Sequence, residues 1–225
     1  MVRLFSHFQS SVGKKMVIAL TGLGLVAYVV FHMLGNLQLF EGPQALNKYA
    51  AFLRDIPILL WTVRIGLLSL VVVHIGLAIQ LSMRNRRARS VEYTIHRYRQ
   101  ASIASRTMTI SGIVLLVFVG FHLLHLTAGV IDLGFSERLD SEGHRDVYGK
   151  VVHAFQNPFI VIIYLAGQLG LGLHLSHAIS SSLQTMGLER AALNRLLQGL
   201  GVAIGLLVVL GNIAIILGVF LGIVH

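Results

Sequence analysis

Residues 157–181 read NPFIVIIYLAGQLGLGLHLSHAISS, twenty-five residues without one charged side chain. Wound as a helix, a run of this length reaches about 37 Å, more than the roughly 30 Å of a hydrocarbon core. Lipid offers no water to complete backbone hydrogen bonds, so a helix is the form such a segment must take. Pro158 stands at its start, where a helix tolerates proline because the N–H there has no partner to lose. Two histidines, His174 and His177, sit in its second half.

Working outward, four more apolar runs, at about 16–40, 57–82, 107–131 and 196–222, support the same reading, and Pro57 opens the second of them. The expected fold is all-α: one domain over residues 1–225, an integral membrane bundle of five transmembrane helices. The composition agrees, with 55% hydrophobic and 12% charged residues, where a soluble domain carries about 25% charged. The first run is too long for a removable signal peptide and lacks a small-residue cleavage pattern. No internal repeat is visible. The chain has no cysteine, which excludes disulfides, CxxC redox chemistry, covalent haem attachment through CxxCH and iron–sulfur ligation by this subunit.

The net charge of +9 is confined largely to loops. Arg3, Lys14 and Lys15, then Arg84, Arg86, Arg87, Arg89, Arg97, Arg99 and Arg106, then Arg190 and Arg195 all fall on one side, accompanied there by Glu92 and Glu189. Glu41, Asp55, Asp132, Glu137, Asp140, Glu142 and Asp146 fall on the other. Basic loops stay in the cytoplasm, so the N-terminus is expected there and the C-terminus outside. The arginine-rich 84–106 loop reads as a docking face for a cytoplasmic partner or as a lipid contact, not as a nucleic-acid surface.

Six of the eleven histidines lie within the runs: His32, His74, His122, His125, His174 and His177. An imidazole in lipid is costly unless paired and marks a functional position by default; a single one also serves as an interhelical hydrogen bond. Depth argues for more than that. His32 lies nine residues before Glu41 and His122 ten before Asp132, about 14–15 Å inside the outer boundary. His74 lies ten before Arg84 and His174 ten before Gln184, about 15 Å inside the inner one. Two levels result, each with two histidines from different helices, as two six-coordinate haems require: His32 with His122, and His74 with His174. In HLLH and HLSH a spacing of three puts both histidines near one face, so either member can be the ligand. The spare members, His125 and His177, suit a haem propionate, a quinone or a plain polar contact. Arg64, on the second helix, suits a propionate, a quinone carbonyl or the interface. Gly76, Gly120, Gly170 and Gly172 flank the ligand candidates, as a flat macrocycle pressed on a helix requires; close helix packing explains glycines equally, as Gly201 and Gly205 in the histidine-free fifth helix suggest. A di-iron carboxylate site needs acids at mid-depth and zinc needs three or four clustered ligands; the sequence provides neither.

Five helices, one candidate ligand on each of the first four and none on the fifth resemble the cytochrome b membrane anchor of di-haem succinate dehydrogenases and fumarate reductases with a single large anchor. The resemblance runs over nearly the whole chain, through SSVGKKMVIALTGL, FHMLGNLQLFEG around His32, VVVHIGLAIQL around His74, SGIVLLVFVGFH ending at His122 and NPFIVIIYLAGQLGLGLH ending at His174. It implies His122 and His174 as the ligands over His125 and His177, two protohaems, and a multi-pass place in a bacterial cytoplasmic membrane. It further implies a flavoprotein with FAD and an iron–sulfur subunit on the cytoplasmic side, and electrons passing through inner and then outer haem to a quinone, usually menaquinone. The chain would then be an enzyme as part of that complex and complete only the quinone half-reaction itself. Some members carry a glutamate two residues before the last ligand to move a compensating proton; here Gly172 stands there. Rival readings are a di-haem quinol-oxidising subunit of a nitrate reductase or hydrogenase, and a haem-free transporter that relays protons through histidines.

Overall fold

The computed structural model describes residues 10–88, 102–131, 138–188 and 191–225. Five helices are long and apolar enough to cross a membrane. They are α1 (Ser11–Asn36, extended by a 3-10 turn to Glu41), α3 (Pro57–Arg87), α5 (Met108–His122, continued by a π-turn Leu123–Thr127), α7 (Pro158–Thr185) and α8 (Ala191–Phe220). Among the described residues one isolated β-bridge joins Leu139 to Arg145 and no strand forms. Pro57 and Pro158 occupy the first turns expected of them. This is the make-up of a multi-pass membrane protein. Outward apolar side chains such as Ile58, Phe31 and Val117 are at least two-thirds exposed, which lipid, unlike water, does not penalise. Arg3, Arg89, Arg97, Arg99, Arg190, Glu92, Glu189, Asp132 and Glu137, and with them most of the proposed docking loop, lie outside the described residues.

Three shorter helices were not anticipated: α2 (Pro43–Arg54), the single turn α4 (Ile103–Arg106) and α6 (Val147–Gln156). Gly42, at φ +103°, turns the chain from the 3-10 end of α1 into α2. Helices α2 and α6 are amphipathic and pack on each other across the acidic-loop end of the bundle. The main apolar core sits there: Leu39, Leu46, Val152, Phe155, Val161, Tyr164, Ile215 and Val219. Asn47, 1% exposed, ties this cap together. Its amide nitrogen donates to Asp146 Oδ1 at 3.2 Å, and its oxygen accepts from the Tyr148 backbone N–H at 2.9 Å. Asn47→Ala leaves the Tyr148 N–H and the Asp146 carboxylate short of a partner, a cost of about 1–3 kcal/mol. The expected result is a lowered thermal midpoint in detergent, while Lys48→Ala, whose ion pair with Glu142 is exposed, stays within about 0.5 kcal/mol of the parent.

Packing among the spanning helices runs in an open row, α3 on α1, α1 on α7 and α7 on α5, with α8 against α7 and α1. The α7–α8 contact is the most extensive in the bundle. Gly201 and Gly205 form a small-xxx-small stripe on α8. A Cβ at Gly201 would lie 3.2 Å from the Ser176 carbonyl, and one at Gly205 3.4 Å from the Ser176 nitrogen. On the facing side, a Cβ at Gly172 would meet Val209 at 3.1 Å. Asn212 donates to Gln168 Oε1 at 2.9 Å within the same contact, a polar pair that lipid makes worth keeping.

Candidate functional site

The four candidate ligands come from four different helices: His32 on α1, His74 on α3, His122 on α5 and His174 on α7. Each inferred pair joins helices that do not pack together. Helix α7 stands between α1 and α5 in the row, and α1 stands between α3 and α7. The rings of His32 and His122 stand 5.8 Å apart, centroid to centroid, at 85° to each other. Two imidazoles sharing one metal through bonds of about 2 Å have ring centres roughly 6 Å apart, and the separation of this pair is close to that. His74 and His174 share no ring contact; they lie within range of each other's charge, as do His122 and His32. Among the described residues, no three histidine, aspartate or glutamate side chains converge as a metal cage requires.

In three of the four rings Nδ1 is held. His74 Nδ1 is 3.1 Å from the Ile18 carbonyl and 3.2 Å from Thr21 Oγ1. A carbonyl only accepts, so Nδ1 carries the ring proton and Nε2 the lone pair. His174 Nδ1 lies 3.2 Å from Oγ of Ser111, whose own hydroxyl donates to the Met108 carbonyl. His174 is therefore the donor and its Nε2 again keeps the lone pair. His122 Nδ1 is 3.3 Å from the Tyr164 hydroxyl. Holding one imidazole nitrogen to fix the tautomer and ring orientation is how proteins prepare the other for a metal. At His32 the lone pair is also at Nε2, where Asn36 Nδ2 donates at 3.2 Å; this amide must swing aside before that nitrogen can bind iron. Tyr28 stacks on His32 at 5.5 Å.

The spare histidines differ in their surroundings. His125, 2% exposed and inside the π-turn, is bonded through Nδ1 to the Tyr164 hydroxyl at 3.0 Å. His177 is half-buried, and its backbone carbonyl accepts from Ser180. Arg64 is exposed and lies over the Trp61 ring at 5.3 Å. It is within electrostatic reach of Tyr28, and hence near the His32 level. Burial, together with Arg145 and Arg64 nearby, lowers the pKa of Arg54, so three guanidinium groups share that end of the bundle. The glycines divide as well. Gly76 and Gly120 border open space, while Gly170 abuts Val114 of α5 and Gly172 abuts α8; the second two serve helix packing and not a macrocycle.

Tyr164, Thr21 and Ser111 had not been picked out from the sequence. The signal was there, since each is a hydroxyl inside a charge-free run, but a run apolar on all sides does not say which face looks inward. No family model, curated protein or solved structure matches this chain.

Proposed function

We propose that this chain is the di-haem cytochrome b anchor of a succinate:quinone oxidoreductase. In this role it carries electrons from an iron–sulfur subunit in the cytoplasm to a quinone, of which menaquinone is the expected kind. The observation that carries the reading is His32 and His122, from different helices, with their ring centres 5.8 Å apart. His32 and His122 hold one haem toward the acidic-loop end, and His74 and His174 hold the other toward the arginine-rich end. Protohaem bound by two imidazoles supplies one-electron transfer between the faces of the membrane.

The protein's own part is to position those rings. Ile18, Thr21, Ser111 and Tyr164 take the Nδ1 hydrogen bonds and so present Nε2 to the iron. The N-terminus is placed in the bacterial cytoplasm and the C-terminus outside, with the basic 84–106 loop turned toward the flavoprotein and iron–sulfur subunits. The lack of cysteine supports that division, because cluster ligands must then come from a partner. Arg64 lies at the level where a propionate or a quinone carbonyl would need a cation. Position 172 faces α8, so a proton route through it forms no part of this proposal.

The test is a pyridine haemochrome assay on the purified chain, followed by succinate addition to membranes that contain it. Two protohaems per chain and haem reduction by succinate are expected. A folded preparation without haem would overturn the reading in favour of a histidine-based transporter. Two haems reduced only through a quinol pool feeding nitrate reduction, or by hydrogen, would assign the anchor to another respiratory complex.

A further inference from the structure

The Tyr164 hydroxyl is shared by two imidazoles. Its oxygen lies 3.3 Å from His122 Nδ1 and 3.0 Å from His125 Nδ1. The residue is 4% exposed, and its ring is held edge-on by Phe118, Phe121 and Phe155 at 5.3, 5.9 and 4.9 Å. His125 is equally enclosed at 2%. It sits where α5 loosens into a π-turn, with the Ala128 N–H reaching back to the Leu123 carbonyl at 2.7 Å. The aromatic packing leaves the phenol one place to be, between the two histidines.

A phenol has a single proton to give. It cannot donate to both nitrogens, so at least one imidazole donates to the phenol oxygen, and the buried phenol proton is satisfied when the other imidazole receives it. The structure allows either order until His122 is given a metal. A neutral imidazole that binds iron through Nε2 carries its proton on Nδ1, and the order is then determined: His122 Nδ1–H donates to Tyr164, and Tyr164 O–H donates to His125 Nδ1. Each bond strengthens the other, because a phenol that gives its proton away is a better acceptor.

We infer that Tyr164 is a positioning residue for the His122–iron bond, and that His125 acts as the acceptor that orients the Tyr164 proton. This rests on the di-haem reading above and gives His125 a task other than contact with a propionate or quinone. The chain of bonds makes the His122 ring more electron-rich, as outer partners of metal-bound histidines do. That favours the oxidised iron and holds the potential of this haem down. The other haem has different anchors, the Ile18 carbonyl, Thr21 and Ser111, and does not feel the change.

The experiment is an optical redox titration of the full complex in detergent, for the parent, Tyr164→Phe, His125→Leu and His122→Ala. Tyr164→Phe keeps the ring packing and removes only the oxygen. Two haems per chain are expected, with one midpoint potential moved positive and the other unchanged. The haem that moves must be the one missing in His122→Ala. His125→Leu, which leaves the phenol in place, is expected to move the same potential in the same direction by less. If Tyr164→Phe fails to hold that haem, His125→Leu alone decides: an unmoved potential overturns the inference. A parent with two haems and variants with unmoved potentials also overturn it while leaving the proposed function standing. A parent without haem removes both.

Discussion

If the chain is the proposed di-haem anchor, His32→Ala and His122→Ala are each expected to bring the purified chain from two protohaems to one, and to lose the same haem. The reason is geometric. The two rings lie edge to face at 5.8 Å from helices separated by α7, so removing either would leave a haem held there with one imidazole. His74→Ala and His174→Ala leave the complementary haem, recognisable by a different reduced spectrum and midpoint potential. His125→Ala retains two haems, since its ring is turned to the Tyr164 hydroxyl. Haem per chain and the identity of the surviving spectrum are the measurements. Identical single-haem spectra from His32→Ala and His174→Ala would break the pairing. Loss of a haem in His125→Ala, with both kept in His122→Ala, would move the ligand to the neighbouring histidine.

A pair of leucines at Gly201 and Gly205 is expected to loosen α8 from the bundle. The contest is between two effects of known size. Leucine is the better helix former by somewhat less than the ~0.8–1 kcal/mol that separates alanine from glycine, which favours the variant. Against it stands overpacking, about 1–3 kcal/mol for each added side chain that finds no room. The atoms in the way are the Ser176 carbonyl and nitrogen, 3.2 and 3.4 Å from the first added carbons. Backbone on a helix cannot step aside as a side chain can, so packing wins and α7 and α8 must separate. The Asn212–Gln168 hydrogen bond between them is lost in the process. Thermal unfolding in detergent, followed by circular dichroism, is the readout. Val202→Leu, on the exposed face of the same helix, is the control with added bulk and no close neighbour to displace. Equal midpoints for the control and the double variant would show that the glycine stripe does not hold the helices together.

The five spans were legible because hydrophobic length is a local property. Any segment of some twenty apolar residues has to become a helix in lipid whatever surrounds it. Their ends were less so: α1 starts at Ser11 and α3 runs on to Arg87, beyond the apolar windows, because polar residues continue a helix into the headgroup region. Helices α2 and α6 were missed. Each spans only ten to twelve residues, and such a length is not helical by itself without a partner surface. Leu46 and Phe155 find that surface in each other's neighbourhood at the acidic-loop end.

For the candidate site, residue type, helix and depth were readable from the sequence by itself. It determined that six histidines lie inside apolar runs on four separate spans, and counting at a constant rise suggested two levels for four of them. What each ring faces is a matter of rotation about the helix axis and of which helices become neighbours. Runs that are apolar all round have no polar face to tell the outward side from the inward one. Depth suggested that His32 pairs with His122, but only the tertiary structure brought their rings to 5.8 Å, set Tyr164 between His122 and His125, and turned Gly172 to α8. Those facts arise from side chains on different helices, far apart along the chain, and what brings them together is packing between helices, which no local pattern encodes.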